Sequence, residues 1–110
     1  MVVKKIVYID KHADKEIRLF SHKVQLKIYS FIQLLKENGR LEEPYAKKLN
    51  AYNNLYEIRI NLMGSWRVFY AYIQKEYIII LGAFQKKKQK TPQDEINKAQ
   101  KRLRAYEEGL

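Results

Sequence analysis

The sequence predicts an α+β fold, and three observations support this prediction. Short β-rich runs occur near the start and in the middle of the chain, a stretch of apolar residues at helical spacing separates them, and a second helical pattern follows. The chain has 110 residues, of which 46% are hydrophobic and 13% aromatic, so it can bury one core. We therefore expect a single domain that covers residues 1–110.

The first strand is predicted at residues 4–9, which are rich in β-branched and aromatic side chains. A helical segment follows over about residues 13–38, and Ser21 is expected to break it because a serine can cap a second helix. Gly39 is a typical helix stop, and the stretch through Pro44 is predicted to be a loop. The apolar face of the segment consists of Ile17, Phe20, Val24, Ile28, Phe31 and Leu35.

Three further strands are predicted to form an antiparallel meander. Residues 55–62 and 66–73 are β-rich, and the short connection between them contains Gly64, which suits a tight hairpin. A polar turn at residues 74–76 leads to residues 77–83. Their run of isoleucine and leucine is typical of a strand that is covered on both faces.

A final helix is predicted after the basic run at residues 85–90. Thr91 is expected to be its N-cap, Pro92 its first residue and Asp94 the acid in its first turn. Residues 107–109 are expected to end it. Its apolar stripe consists of Ile96, Ala99, Leu103 and Tyr106.

Composition and charge narrow the functional classes. The formal net charge of +10 predicts a polyanionic partner, although the same field attracts an acidic protein or an anionic membrane surface. Because the chain has no cysteine and only two histidines, neither a zinc site nor a cysteine nucleophile is expected. No apolar run reaches the ~18–20 residues that span a bilayer, and the first residues lack a signal-peptide pattern. We expect a cytoplasmic protein that does not enter the membrane.

Side-chain alternation along the predicted strands places charges in unusual positions. In the first meander strand Glu57 and Arg59 lie opposite the core-facing residues, and in the second Arg67 shares a side with apolar residues. Taken singly, such arginines are often solvated strand ends or ion-pair partners of Glu57. The meander nevertheless brings them toward one end of the sheet, together with Phe84 and Lys86.

This combination of residue types is typical of a phosphodiester-binding site. Arginine can donate two parallel hydrogen bonds to a phosphate, lysine adds a point charge, and an aromatic ring can stack on an unpaired base. The lysine run after the last strand, taken alone, indicates only a polyanion, since most such runs are solvated faces or general nucleic-acid patches.

Four segments carry a family resemblance. They are LYEIR at residues 55–59, GSWRVFY at 64–70, ILGAFQKK at 80–87, and KTP at 90–92 followed by Ala99 and Arg102. In this order and spacing they resemble the RelE/HigB toxin superfamily, specifically its phage-derived HigB-like branch. The resemblance implies a RelE-like, microbial-ribonuclease-type fold with an N-terminal strand, a helical segment, a three-stranded antiparallel meander and a C-terminal helix.

The same resemblance implies the toxin of a type II toxin–antitoxin system, a ribosome-dependent endoribonuclease that cleaves messenger RNA. In such enzymes the ribose 2′-hydroxyl attacks the adjacent phosphate, and this chemistry requires no metal or other cofactor. The implied partners are the ribosome with its message and a cognate antitoxin, expected to be a small helix-turn-helix protein. Operator DNA would be reached only through the antitoxin.

Site roles follow from the resemblance by position. Arg67 matches the arginine that opens the middle meander strand and is expected to clamp the transition state. Arg59 matches a basic position on the preceding strand, and Lys86 is placed to stabilise the phosphate or the leaving oxygen. Phe84 is expected to stack on a base. Glu57 is a candidate base, although relatives can have lysine near its position.

Further RNA contacts are expected from Lys87, Lys88 and Lys90 after the last strand, and from Lys47 and Lys48 in the loop before the meander. Two alternative functions stay open: a non-catalytic RNA- or ribosome-binding module, and a degenerate toxin that acts mainly in an antitoxin–operator DNA complex. A basic and aromatic surface suits the endoribonuclease toxin as well as these two alternatives. A cyclic or 3′-phosphate end on cleaved message would distinguish an enzyme from a binding module.

Overall fold

The structure of the protein is a computed structural model that describes residues 4–52 and 54–109. The strands and helices of the described chain follow one another in the predicted order, with one additional short strand. Their order is β1 (Ile6–Ile9), α1 (Lys11–Arg18), α2 (His22–Asn38), β2 (Ala46–Lys48), β3 (Tyr56–Asn61), β4 (Ser65–Ile73), β5 (Tyr77–Gln85) and α3 (Gln93–Glu108).

The strands form one sheet in the order β1-β5-β4-β3-β2. Strands β3, β4 and β5 are the predicted antiparallel meander, and β1 pairs in parallel with β5. The chain therefore crosses from β1 over one face of the sheet, through α1 and α2, to reach the opposite edge at β2. This path leaves β3, β4 and β5 between the two edge strands β1 and β2.

Helices cover both faces of the sheet. One core lies between the sheet and the pair α1 and α2, and the other lies between the sheet and α3. Strand β5 is buried on both faces, which explains its unbroken apolar sequence. Representative buried residues are Ile17, Ile28, Leu35, Ile58 and Ile80 in the first core, and Phe69, Leu81, Ile96 and Leu103 in the second.

The predicted break in the helical segment is confirmed. The Ser21 side chain accepts a hydrogen bond from the backbone amide of Val24, and α2 ends at Gly39 with a φ of 77°. The first helix begins at Lys11, earlier than expected, because the Asp10 side chain accepts from the backbone amide of His12. None of the helices in residues 4–52 and 54–109 is both long and apolar enough to cross a membrane.

Two local predictions were wrong. Lys47 and Lys48 lie in β2 and not in a loop, and Lys47 pairs with Glu57 across the antiparallel ladder. A strand of three residues is too short to show a period of two in the sequence. Thr91 is not the N-cap of α3, since Pro92 takes that position and the Thr91 hydroxyl donates instead to the Glu57 carboxylate at 3.1 Å.

Candidate functional site

Strand register brings most of the predicted site residues onto the face of the sheet that α3 covers. Arg59, Arg67 and Phe84 are cross-strand partners in one row over β3, β4 and β5. Glu57 lies in the adjoining row, opposite Lys47 on β2. Directly opposite residues of a sheet point to the same face, so these side chains converge.

Glu57 lies at the centre of this group and is 1% exposed. Its Oε1 accepts a hydrogen bond from Arg59 Nε at 3.3 Å and lies 3.6 Å from Arg67 Nε. Its Oε2 accepts from the Thr91 hydroxyl at 3.1 Å. Both carboxylate oxygens are therefore occupied by partners within the protein.

Arg67 is buried, with 8% of the residue exposed, and hydrogen bonds hold its side chain in place. Its Nη1 donates to the Ser65 hydroxyl and to the Trp66 carbonyl, both at 2.9 Å. Its buried Nε has no hydrogen-bond partner among the residues that the structure describes. Burial lowers the pKa of Arg67, and the charge of Arg59 lowers it further against the opposing effect of Glu57. The guanidinium remains charged at neutral pH because arginine is so basic. Glu57 is shared with Arg59, so it neutralises only part of the positive charge of Arg67.

Lys86 follows β5 and is half-buried, with its backbone amide donating to the Ser65 carbonyl at 2.7 Å. Burial lowers the pKa of Lys86, and the positive charges of nearby Arg67, Arg59 and Lys47 act in the same direction, against the attraction of Glu57. We call Lys47, Arg59, Arg67 and Lys86 the basic cluster. Such a concentration of cations around one carboxylate favours an anionic ligand.

Other predicted contact residues are placed differently. Phe84 is 8% exposed and its ring lies 5.4 Å from the ring of Phe69, so it fills the core under α3 and is not available to a base in this conformation. Lys48 alternates to the face opposite Lys47 and stays outside the basic cluster. Lys87, Lys88 and Lys90 are exposed on the segment between β5 and α3.

A groove of 430 Å³ opens beside Arg59 and Arg67. Tyr45 lines it and is 55% exposed, which makes it the accessible aromatic residue of this region. Sequence reasoning missed Tyr45, Ser65 and Thr91. In the sequence, Tyr45 was marked only by its position next to a proline, since the short strand β2 that follows Tyr45 could not be recognised.

The donors of the site are cationic and hydroxyl groups. Within the part of the chain that the structure describes, no group of three or more histidine, aspartate or glutamate side chains is arranged to hold a metal ion. What the arrangement can do chemically is bind a phosphate and stabilise negative charge that develops on it.

Comparison with known families now identifies the chain. Residues 15–104 match the model of a family described as "Phage derived protein Gp49-like (DUF891)". The protein belongs to this Gp49-like family. No curated protein matches the chain significantly.

The fold of this Gp49-like protein is similar to that of the E. coli toxin RelE, solved as a double arginine-to-alanine mutant in the free state. The TM-score is 0.72 with 20% sequence identity, over 92% of this chain and 99% of that chain. The match confirms the predicted α+β, RelE-like fold. Together, the family and the fold confirm the RelE-superfamily resemblance seen in the sequence.

Proposed function

We propose that this Gp49-like protein is the toxin of a type II toxin–antitoxin system and cleaves messenger RNA on the ribosome, in the cytoplasm. The observation that carries the proposal is the basic cluster, in which the buried Arg67 is fixed by its own strand beside Arg59 and Lys86. Membership of the Gp49-like family and the likeness of the fold to a protein named as a toxin support it.

The cluster is suited to cleavage through the ribose 2′-hydroxyl. Attack on the adjacent phosphate places additional negative charge on its oxygens, and donors fixed in advance stabilise that charge without reorganisation. Arg67 Nη2 makes no hydrogen bond to the described residues, and Arg67 lines the groove beside the cluster. We assign Arg67 and Arg59 to the phosphate oxygens.

Proton transfer is assigned by accessibility. Glu57 is buried and both of its oxygens are occupied, which favours a positioning role for Glu57 over the role of base. Lys86 is more accessible, and the lowering of its pKa by burial and by neighbouring cations eases release of its proton. We propose that Lys86 protonates the departing 5′-oxygen or stabilises its charge, while the proton of the attacking 2′-hydroxyl passes to water. The new bond from the 2′-oxygen to phosphorus replaces the bond to the 5′-oxygen, which leaves a 2′,3′-cyclic phosphate and a 5′-hydroxyl.

The decisive experiment adds purified protein to a cell-free translation reaction and maps the message ends. New in-frame cuts should require ribosomes, and Arg67→Ala should lower the cleavage rate by about 10²–10³, the cost of losing one fixed donor to the transition state. Arg104→Ala, at an exposed arginine on α3, is the matched control and should cleave like the wild type.

Each variant is checked for folding by circular dichroism, because Arg67 is buried. Full activity of a folded Arg67→Ala variant would remove Arg67 from the mechanism. An intact message with the wild-type protein would contradict cleavage and favour a binding module or a degenerate toxin.

We also propose a cognate antitoxin, a small helix-turn-helix protein that carries an acidic segment. Such a segment would neutralise the basic cluster and block access of phosphate. Because the covered cluster could not bind DNA phosphates either, operator DNA would be contacted only through the antitoxin. If charge reversal at Lys86 left antitoxin binding unchanged, the antitoxin would act at another surface.

A further inference from the structure

The groove beside the basic cluster lies at an open edge of the sheet. Strand β2 pairs with β3 from Tyr56 to Ile58, and one further backbone hydrogen bond joins Arg59 to Tyr45. Beyond Arg59, no strand among the described residues covers the edge of β3, which ends at Asn61. The groove occupies this position, and its volume of 430 Å³ lies within the range of sites that take small-molecule-sized ligands, about 300–1,000 Å³.

Tyr45 presents an accessible ring on a fixed backbone. Its carbonyl accepts a hydrogen bond from the backbone amide of Arg59 at 2.8 Å, and its amide donates to the Glu42 carbonyl at 3.0 Å. The ring packs against Phe31 with the ring centres 5.8 Å apart, while 55% of the residue stays exposed. Tyr45 is thus tied directly to the strand that carries Arg59.

Polar groups line the groove around this ring. Lys27 is exposed on α2, with its ammonium 5.4 Å from the centre of the Phe31 ring. Asn61 is exposed at the end of β3, and its amide can both donate and accept hydrogen bonds. Arg67 from the basic cluster also lines the groove.

We infer that this groove is a subsite for single-stranded RNA, in which Tyr45 stacks on the base of a nucleotide adjoining the phosphate bound by Arg67. Lys27 would contact a neighbouring phosphate, and Asn61 would hydrogen-bond to the base edge. The inference rests on the proposed function. It gives Tyr45 the stacking role that the sequence had suggested for Phe84.

An exposed aromatic ring between cationic side chains is the combination that single-stranded nucleic acid requires, since every base has a face that can stack and every linkage carries a charge. The acidic side chains of a peptide would use Lys27 and Arg67 but offer no flat face to the Tyr45 ring, whereas RNA carries a charge and a stacking base in every nucleotide. RNA is therefore the occupant that these observations favour.

The test compares variants of the full chain in the cell-free translation reaction. Tyr45→Ala should lower message cleavage about tenfold or more, which corresponds to loss of one base–aromatic stack. Tyr45→Phe keeps the ring and should cleave near the wild-type rate. Tyr29→Ala is the matched control, because Tyr29 is an exposed tyrosine on the same helix as Lys27 but outside the groove.

Binding of a short oligoadenylate to the protein, without ribosomes, provides a second readout. Tyr45→Ala and Lys27→Gln should both weaken this binding, and Tyr29→Ala should not. Thermal melting shows whether Tyr45→Ala folds. If Tyr45→Ala does not fold, the Lys27→Gln variant still tests the subsite, because Lys27 is exposed and its substitution should not affect folding.

The outcomes separate this inference from the proposed function. If Tyr45→Ala cleaved message and bound oligoadenylate as well as the wild type does, the subsite would be overturned. The proposed function would still stand if Arg67→Ala were inactive. If the wild-type protein cleaved nothing, the proposed function would fail and oligoadenylate binding alone would decide the subsite. A Tyr45→Ala variant that lost antitoxin binding but kept RNA binding would assign the groove to a protein partner and overturn the inference.

Discussion

Glu57 is the residue on which the basic cluster depends. It contacts Arg59 and Arg67 from a buried position, and a buried arginine without a counter-charge is strongly destabilising. The cluster nevertheless contains more cations than one carboxylate can neutralise, so its members repel one another in the free protein. A bound phosphate would relieve this repulsion, and for that reason the feature that lowers stability also favours anion binding.

Lys86→Gln should separate these two effects. Removing one cation should raise the free energy of unfolding by about 0.5 kcal/mol at neutral pH, a gain typical of surface-charge changes, and should lower message cleavage. Urea denaturation measures the first effect and the translation reaction measures the second. Lys101→Gln, at an exposed position on α3, should change neither appreciably. A variant that is less stable than the wild type would show that attraction by Glu57 dominates.

The pH dependence of stability should reveal the same lysine. In the folded protein the pKa of Lys86 is below its ordinary value of 10.5, so folded molecules release this proton before unfolded ones do. The unfolded state then binds more protons, and this contribution makes stability rise with pH through the interval between the lowered pKa and 10.5. The rise should be smaller in Lys86→Gln, as denaturation at a series of pH values will show.

At the residue scale the sequence was informative where alternation decides orientation. A period of two grouped Glu57 with Arg59 on one strand and Arg67 with apolar residues on the next, and the register of β3 against β4 places both groups on one face. The same parity places Phe84 with Phe69, yet whether that ring is covered depends on α3, which packs over it from a distant part of the chain. The exposure of Tyr45 likewise depends on β2, which the sequence pattern does not reveal.

At the scale of elements, side chains complete the sheet where β1 ends. Beyond Asp10, no strand among the described residues pairs with the outer edge of β5, and side chains from α1 and α3 bond it instead. Glu16 accepts from the Ala83 amide at 3.1 Å, Arg102 donates to the Leu81 carbonyl at 2.8 Å, and these two side chains form a bidentate pair. This bridge fixes the end of β5 that leads to Lys86.

The segment between β5 and α3 is fixed in a similar way by Thr91. Thr91→Val keeps the shape of the side chain but removes the donor to the buried Glu57 carboxylate. We expect the free energy of unfolding to fall by about 1–3 kcal/mol, the cost of an unsatisfied buried acceptor, and message cleavage to fall with it. Thr91→Ser keeps the hydroxyl and should retain most of both. Unchanged stability in Thr91→Val would mean that the hydroxyl does not bond Glu57 in solution.

Most elements were predictable because their signals are local. The capped break at Ser21, the glycine stop after α2 and the isoleucine-rich β5 each depend on neighbouring residues alone. The N-cap of α3 was mispredicted because Thr91 donates to Glu57, 34 residues earlier in the chain. Such a contact is absent from any local pattern.

At the scale of the whole molecule, strand order decides which residues meet. Both edges of the β3–β4–β5 meander accept a further strand, and the sequence does not say that β1 joins β5 in parallel or that β2 joins β3. This arrangement places Lys47 next to Glu57 and leaves the groove open beside Arg59. The net charge of +10 then acts at longer range, since it attracts any polyanion to the surface without selecting where it binds.

Salt dependence can distinguish the cluster from this general charge. Each phosphate of single-stranded RNA that is neutralised changes the slope of log affinity against log salt by about −0.7, so contacts from the four cations of the basic cluster would contribute a slope of about −3. Lys86→Gln should make the slope for oligoadenylate binding shallower by about 0.7. Lys15→Gln removes the same charge from an exposed position on α1 and should leave the slope almost unchanged. Because both variants have the same net charge, equal slopes would mean that RNA binds through diffuse attraction, whereas different slopes would locate the contact at the cluster.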